Sequence, residues 1–483
     1  MITSPMNITI LIARKEIKVA MREKLVVVLG CIILLLLGVA LYAGYLAYQQ
    51  QQTIITQIQA EKRQEWLKQG DKHPHIAAHY GTFVFKPKTM LSLFDFGLDA
   101  YTGTSKYLEA HHPHEFMFRP AQDHSSMIRF GELSAALVLR ILVPLLIIFL
   151  AFAAFTRERE SGTLKLLVAQ GVSFATLTWG KILAYVTLLV TMLLPFLLGI
   201  VMLSLVNTHQ DTIPDVVTRA TLLAFVYGVY LFLFIAFSVW VSLRSSTGRN
   251  ALLILLSGWI FLGVLMSKTV ANLSENFYAL PSMREFKAAI EQDKVSGLDG
   301  KTPRSVRMAT LEKEYLEKYE VDSVQQLPFN FEGVSMQAGE EYGNAIYDYH
   351  QEKLRGIFHQ QNRLGSLVSL LNPIIAVQHL SLALSGTDMH TFIHFEEQAE
   401  DYRRELVRKM NADMAENSQY GEFYGYKAGG DLWQQMEDFS YQTPTALQLL
   451  QYYRLEVVSL LLWTVLALVL IHYTHRKAKP LHA

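Results

Sequence analysis

From residue 25 to residue 48 the chain reads LVVVLGCIILLLLGVALYAGYLAY, a run without a single charge. Coiled as a helix, this stretch measures about 36 Å at ~1.5 Å per residue, more than the ~30 Å of a bilayer's hydrocarbon core. Lipid offers no partner to an unpaired backbone group, so a segment this apolar is predicted to cross the membrane as a helix. It is too long for the ~7–15 apolar residues of a cleaved leader, and no small-residue cleavage pattern follows it. Comparable runs occupy 133–155, 182–206, 220–243, 251–270 and 457–473, interrupted only by Arg140, by prolines such as Pro144 and Pro195, and by small residues. The expected fold class is therefore an all-α polytopic membrane protein with six transmembrane helices.

Not all of the chain can lie in lipid. With 51% hydrophobic and 18% charged residues among 483, it is too apolar for one soluble domain and too charged for a fully embedded protein. The formal net charge is zero, which gives no reason to expect a nucleic-acid partner. Lys and Arg sort by loop. Arg14, Lys15, Lys18, Arg22 and Lys24 precede the first span, and Arg157, Arg159, Lys165 and Lys181 follow the second. Arg244 and Arg249 sit between the fourth and fifth spans, and Arg476, Lys477 and Lys479 end the chain, whereas 207–217 holds neither Lys nor Arg. Six spans put all four basic clusters on one side, so the positive-inside rule predicts cytoplasmic termini and a tail at 474–483. Segments 49–132 and 271–455 are then extracytoplasmic. The one cysteine, Cys31, lies within the first span, so these insertions must be held by their own core rather than by a disulfide.

One stretch competes with this count. Residues 364–384, LGSLVSLLNPIIAVQHLSLAL, are long enough to span, but a seventh span would put the basic tail on the wrong side. Asn372, Pro373, Gln378 and His379 near its middle predict a broken amphipathic segment at the outer membrane surface or beneath the external domain.

The insertions differ in character. The first begins polar and helical, QIQAEKRQEWLKQGDKHPH, and continues with strand and turn signals in FVFKPKTMLSLFDFGLDAYTG. The second is mostly helical: Tyr342, Ile346, Tyr349, Ile357 and Leu364 keep one face, as do Phe395, Ala399, Tyr402, Leu406 and Met410. Such stripes predict a core, and the two insertions are expected to pack as one mostly helical body.

The segment 156–181 is the most informative. It opens with the charged string Arg157, Glu158, Arg159, Glu160, turns at Ser161 and Gly162, resumes as an apolar-faced helix through Thr163, Leu164, Leu166 and Leu167, and closes on Gly180 and Lys181. Read from its residues alone, it is either an ordinary basic loop or a short amphipathic helix held at the membrane surface for a partner to push on.

These residues resemble the coupling-helix region of type-2 ABC transporter permeases, whose pattern is E-x-E-x-G-T-L followed by a later Gly-Lys. Residues 6–24, with Ile8, Leu11 and Ile12 on one face and a Lys15-Glu16-Ile17 step, are similar to the family's amphipathic elbow helix. The chain further resembles a subfamily with large external insertions classed as a domain of unknown function. The residues carrying that likeness are Leu327-Pro328-Phe329-Asn330 with Gly333, Glu340-Glu341-Tyr342-Gly343-Asn344, Asn372-Pro373 (where Ser or Thr usually precedes the proline) and Ser385-Gly386-Thr387-Asp388. The resemblance implies an ATP-driven exporter of the inner membrane in which this chain is the permease. It implies two copies of a separate ATPase holding ATP and Mg, and a second permease copy or a paralogue. It assigns ATPase coupling to Arg157, Glu158, Arg159, Glu160, Ser161, Gly162, Thr163, Leu164 and Leu167, with Glu158 and Glu160 reaching basic groups on the ATPase and Leu164 and Leu167 seated in its groove.

No cofactor is expected in this chain. Gly171 to Gly180-Lys181 has eight intervening residues where a P-loop has four, and Ile182 replaces the magnesium-binding Ser or Thr. Histidines cluster at His73, His75 and His79 and at His111, His112, His114 and His124, but Pro74 and Pro113 interrupt ligand spacing, so His111, His112 and His114 are only weak metal candidates. Arg140 and Lys268 are expected to snorkel or to pair with Glu132. No nucleophile or acid–base pair stands out, so no enzyme activity is expected in this chain. A membrane-anchored scaffold or sensor, its external domain binding a periplasmic protein or a metal, is the competing reading.

Overall fold

The computed structural model describes residues 5–110, 112–117, 133–207, 213–422 and 425–477. Six helices are long and apolar enough to cross a membrane: Lys24–Leu67, Ala135–Glu160, Phe174–Val206, Ile213–Arg244, Gly248–Phe277 and Arg454–Thr474. They coincide with the six expected runs. The second and fourth are the centre of the bundle, with 56% of their most apolar window buried, whereas the fifth has 6%. Leu139, Ile147, Tyr230, Ala236 and Leu380 lie in the shared core.

The elbow helix runs Pro5–Ala20 and ends in a turn before the first span begins at Lys24. That span does not stop at the membrane boundary expected from hydropathy. It continues as one helix to Leu67, because the stretch after Tyr48 is rich in Gln, a good helix former, carries Ala, Glu, Lys and Arg toward its end, and has no Gly or Pro to break the ladder. Its far end is gripped by the second insertion: Trp66 Nε1 donates to the Trp433 carbonyl at 2.9 Å, Trp433 Nε1 donates to the Gly70 carbonyl at 3.0 Å, and the two indoles meet edge to face. A bridge between Lys72 and Ala428 adds backbone pairing. The two insertions thus pack against each other. Within the first, β1 (Thr82–Phe85), β2 (Ser105–Glu109) and β3 (His112–Met117) form an antiparallel sheet in sequential order. Val84 and Leu108 from that sheet bury against Phe395 and Ala399 of the helix Met389–Asn417, the stripe expected to face a core. In the helix Phe331–Ser369, Ile346 is buried but Tyr349 is exposed, so that stripe is narrower than expected.

Two spans contain π-helical segments, and each has side chains in place for the carbonyls it frees. In the second span Val138–Leu142 is π-helical just before Pro144, which has no N–H for the Arg140 carbonyl four residues earlier. Tyr230 donates its hydroxyl to that carbonyl at 2.6 Å, and Trp259 Nε1 donates to the Ile141 carbonyl at 3.2 Å. In the fifth span Phe261–Met266 is π-helical, and Asn372 Nδ2 donates to the Leu262 carbonyl at 2.8 Å. In a medium without water these bonds replace solvation the backbone cannot otherwise obtain.

Asn372 belongs to the stretch expected at the membrane surface, and the structure corrects that placement. The long helix enters the bundle from the insertion side and ends at Ser369; the chain turns and returns as the helix Pro373–Ser385. This is neither a seventh span nor a surface helix but a re-entrant hairpin. Its tip is sealed by neighbouring spans, with Ser459 Oγ donating to the Ser369 carbonyl at 2.6 Å and Trp463 Nε1 to the Leu370 carbonyl at 3.1 Å. Asn372 caps the returning helix through Oδ1, 3.0 Å from the Ile374 nitrogen, with Pro373 in the first turn where its missing N–H costs nothing. Ile375, Val377, Leu380 and Leu384 are buried between the fourth and sixth spans, so the returning helix is apolar nearly all round. At its far end Gly386 takes a left-handed conformation, φ 71°, to close the helix. Arg219 of the fourth span collects the freed Ala383 and Leu384 carbonyls at 3.2 and 3.3 Å.

Candidate functional site

At the opposite end of the bundle, the second span unwinds after Ala151 and its last turn, Thr156–Glu160, carries the four-charge string. Each of the four side chains holds a different element. Arg157 pairs with Glu23, at the junction of the elbow helix and the first span, at 2.8 Å. Glu158 receives Lys15 of the elbow helix at 2.6 Å and Lys181 of the third span at 3.1 Å. Arg159 lays its guanidinium over the C-terminus of the fourth span, donating to the Leu243 carbonyl at 2.8 Å, to Ser242 and to Ser245. Glu160 accepts from the Gly248 nitrogen at 2.9 Å, at the start of the fifth span. The last two placements follow from backbone electrostatics: a cation stabilises the carbonyl end of a helix and an anion its amide end.

Glu158, Lys15, Glu16 and Lys181 form one network, since Glu16 also accepts Lys15 at 2.8 Å and Lys181 at 2.9 Å. Lys181 is 1% exposed, while Lys15 is half in solvent. Burial acts against the Glu16 charge, but Lys181 and Lys15 outweigh it and hold the carboxyl below its ordinary range. For Lys15, burial is likewise outweighed by the hydrogen bonds to Glu158 and Glu16, and its pKa is raised. Gly180 completes the joint: a Cβ there would lie 2.7 Å from Ile12 Cγ2 and 3.1 Å from the Thr9 carbonyl, so only glycine lets the elbow helix lie against the third span.

The expected outward role of Glu158 is therefore revised, because its carboxylate is buried and its Oε1 is held inside the chain by Lys15 and Lys181. Leu164, expected in a partner's groove, is likewise buried within the bundle core, and Leu167 is half-buried against it. Arg157 bonds Glu23 inside the chain, and Arg159 and Glu160 face the turn between the fourth and fifth spans. Ser161, Gly162 and Thr163 form the exposed turn, with Gly162 at φ 76°, and start the helix Thr163–Ala169. Leu166 on that helix is 63% exposed beside exposed Lys165, an apolar side chain facing outward from a charged collar. The turn closes at Ser173, whose hydroxyl caps the third span by accepting from the Thr176 nitrogen at 3.1 Å. Sequence reading missed Lys15 and Glu16 as members of the network. The only signal was charge on an otherwise apolar-faced helix, and the partners lie more than 140 residues away.

Among the weak metal candidates, His111 lies outside the described residues, and the side chains of His112 and His114 do too. Among the described residues no group of three or more metal-ligating side chains converges. Glu132, the expected partner of Arg140 and Lys268, also lies outside them; Lys268 is exposed, and the Arg140 guanidinium acts electrostatically on Asp95.

The fold and this charged joint define a polytopic helical membrane protein whose spans are collected at one end by a single turn. Residues 100–284 match the family model described as ABC-2 family transporter protein, and residues 283–442 match the one described as Domain of unknown function (DUF3526). No curated protein matches the chain. The chain is thus built as an ABC-2 permease with an additional DUF3526 domain, the membrane component of an ABC transporter.

Proposed function

We propose that this permease serves an ATP-driven exporter of the inner membrane, with cytoplasmic termini, and that the 156–170 segment is where a separate ATPase pushes on it. The observation that carries the reading is the division of labour among four consecutive residues: Arg157, Glu158, Arg159 and Glu160 tie the segment to the elbow helix and to the first, third, fourth and fifth spans. A force on the exposed turn is then delivered to five elements at once. The buried Glu16, Glu158 and Lys181 resist being pulled apart individually, since an unpaired ion in a dry site is costly, so the elbow helix, the second span and the third span move together at this joint. Bistable packing of spans, rather than bond chemistry, is what this chain supplies.

In this reading the ATPase, two copies holding ATP and Mg, contacts Leu166, Lys165 and the Ser161–Thr163 turn, while Glu158, Leu164 and the arginines transmit. The thinly covered first and fifth spans leave room for a second permease copy or a paralogue. The test is co-purification of the detergent-solubilised permease with its ATPase in the presence of ATP and Mg. Leu166→Glu is expected to lower ATPase recovery at least ten-fold with the permease still monodisperse. Undiminished recovery would remove Leu166 from the contact, and the absence of any ATPase from the wild-type complex would overturn the coupling reading itself.

A further inference from the structure

The insertion domain contains a cavity of about 1570 Å³ between the helices Met283–Ser296, Arg304–Tyr319 and Phe331–Ser369. That exceeds the ~300–1,000 Å³ of sites built for small molecules. The wall formed by the Phe331–Ser369 helix extends from Met336 to Phe358, about 33 Å at ~1.5 Å per residue. A chain from one leaflet, reaching about half of the ~30 Å hydrocarbon thickness, would fit lengthwise. The lining combines Met and Phe side chains such as Met283, Phe286, Met308, Met336 and Phe392, which adapt to irregular apolar shapes, with charged groups including Lys287, Lys294, Arg304 and Arg307 that suit the polar head of an amphiphile.

Two further observations say what the cavity holds. First, its near end lies next to the end of the fifth span. Leu280 and Met283 line it only a few residues beyond the end of the fifth-span helix at Phe277, and Leu273, Phe277, Leu280 and Met283 are all exposed, forming an apolar ramp from span to cavity. Gln361 Nε2 pins this ramp to the long helix by donating to the Tyr278 carbonyl at 2.7 Å. Second, space is kept clear at a cost. Gly339 and Gly343 line the cavity one turn apart in the interior of the long helix, where each glycine is worth about 1 kcal/mol less than alanine. A Cβ at either would meet nothing within 4 Å, unlike Gly333, where it would strike Ala415 at 2.7 Å. Packing explains Gly333; Gly339 and Gly343 have open space beside them, as does Gly356 outside the cavity, and what sets the first two apart is that they face the cavity.

We infer that this cavity is a binding site for the acyl chain of a long-chain amphiphile, entering from the membrane leaflet on the insertion side along the Leu273–Met283 ramp. The inference is independent of the coupling reading, because binding is measured without ATPase or nucleotide. The experiment places the full-length protein in nanodiscs of phosphatidylethanolamine and phosphatidylglycerol doped with a phospholipid carrying a diazirine on its acyl chain, followed by illumination and peptide mapping. Labelling is expected on the peptides bearing Met308, Met336 and Phe358 as well as on the lipid-facing first span around Leu35 and Val39. Filling the cavity with Gly339→Phe and Gly343→Phe together is expected to lower the cavity labelling at least five-fold and to leave the first-span labelling unchanged. The milder Gly343→Leu is expected to lower it at least two-fold. Labels confined to the spans, or cavity labels indifferent to both the double and the single variant, would overturn the assignment.

Discussion

The two ends of the helix bundle solve the same problem with different chemistry. On the elbow side, helix termini and loops are gathered by a run of four adjacent charges, each with a partner in another element. On the insertion side, the helix ends around the re-entrant hairpin are held mainly by hydroxyls, indoles and amides aimed at single carbonyls: Ser459, Trp463, Asn372 and Tyr230. Arg219 and the buried Glu456 carboxylate, which His379 and Ser366 approach, are exceptions, and Arg219 repeats the Arg159 device by sitting on the carbonyls of a helix C-terminus. Even the buried Asp95, 2.7 Å from Ser381 Oγ, differs from Glu16: burial pushes its carboxyl up, and the opposing Arg140 charge and Ser381 hydroxyl do not reverse it. Within the elbow-side joint the buried Glu16–Lys181–Glu158 cluster holds together as a set, because removing one member leaves a buried charge unpaired, while the exposed Arg157–Glu23 pair adds little. Single hydrogen bonds can be exchanged one at a time. The comparison assigns concerted movement to the elbow side and local adjustment to the hairpin side.

This contrast can be broken by mutation. The largest effect is expected for Glu158→Ala, which leaves Lys181 buried without half of its counter-charge; removing one partner of a buried pair costs about 3–5 kcal/mol. A fall in detergent-solubilised thermal stability smaller than that of Asn372→Ala would reverse the ranking of the two ends. Asn372→Ala removes a cap and the donor to Leu262, for which we expect about 1–3 kcal/mol and faster hydrogen exchange confined to the hairpin and the fifth span. Gly180→Ala forces Ile12 to move and is expected to cost about 1–3 kcal/mol, read as loss of exchange protection across the elbow helix. Leu166→Glu, exposed and unpaired by packing, should change stability by no more than about 0.5 kcal/mol while removing the ATPase.

Acidity sharpens the same comparison. The Glu16 carboxyl is depressed from 4.5, so its stabilising charge is fully present above that value and is lost as pH falls through the lower value it has in the fold. Lys15 is raised from 10.5, so its contribution is present below that value and is lost as pH rises through the higher one. Elbow-helix protection is therefore expected to be flat from pH 6 to pH 8 and to loosen below about pH 4.5. Loosening already at pH 6 would mean that another group governs the joint.

What the sequence made legible follows the range of the forces involved. Six apolar runs, the elbow helix, the turn at Gly162 and the Glu–Gly–Lys pattern are local signals, and the structure has a helix or turn at each. The direction of Glu158 was not legible, because inward and outward carboxylates have the same neighbours in sequence and the deciding cations are Lys15 and Lys181, far away in the chain. The hairpin was misplaced for a related reason. Asn372, Gln378 and His379 look too polar for the bundle interior until Leu262 and Glu456 are seen to receive two of them, His379 Nδ1 lying 2.8 Å from a Glu456 carboxylate oxygen. Hydropathy averages over a window; burial depends on whether each polar atom finds one partner.

The uninterrupted first helix has a mechanical meaning. Its 44 residues make a rod about 66 Å long, anchored beside Glu23 at its base and at Trp66 and Arg63 near its tip. It has the proportions of a lever. A tilt of about 5° at the base would sweep the tip by about 6 Å, so a small rotation at the charged collar becomes a displacement of several ångströms where the two tryptophans meet.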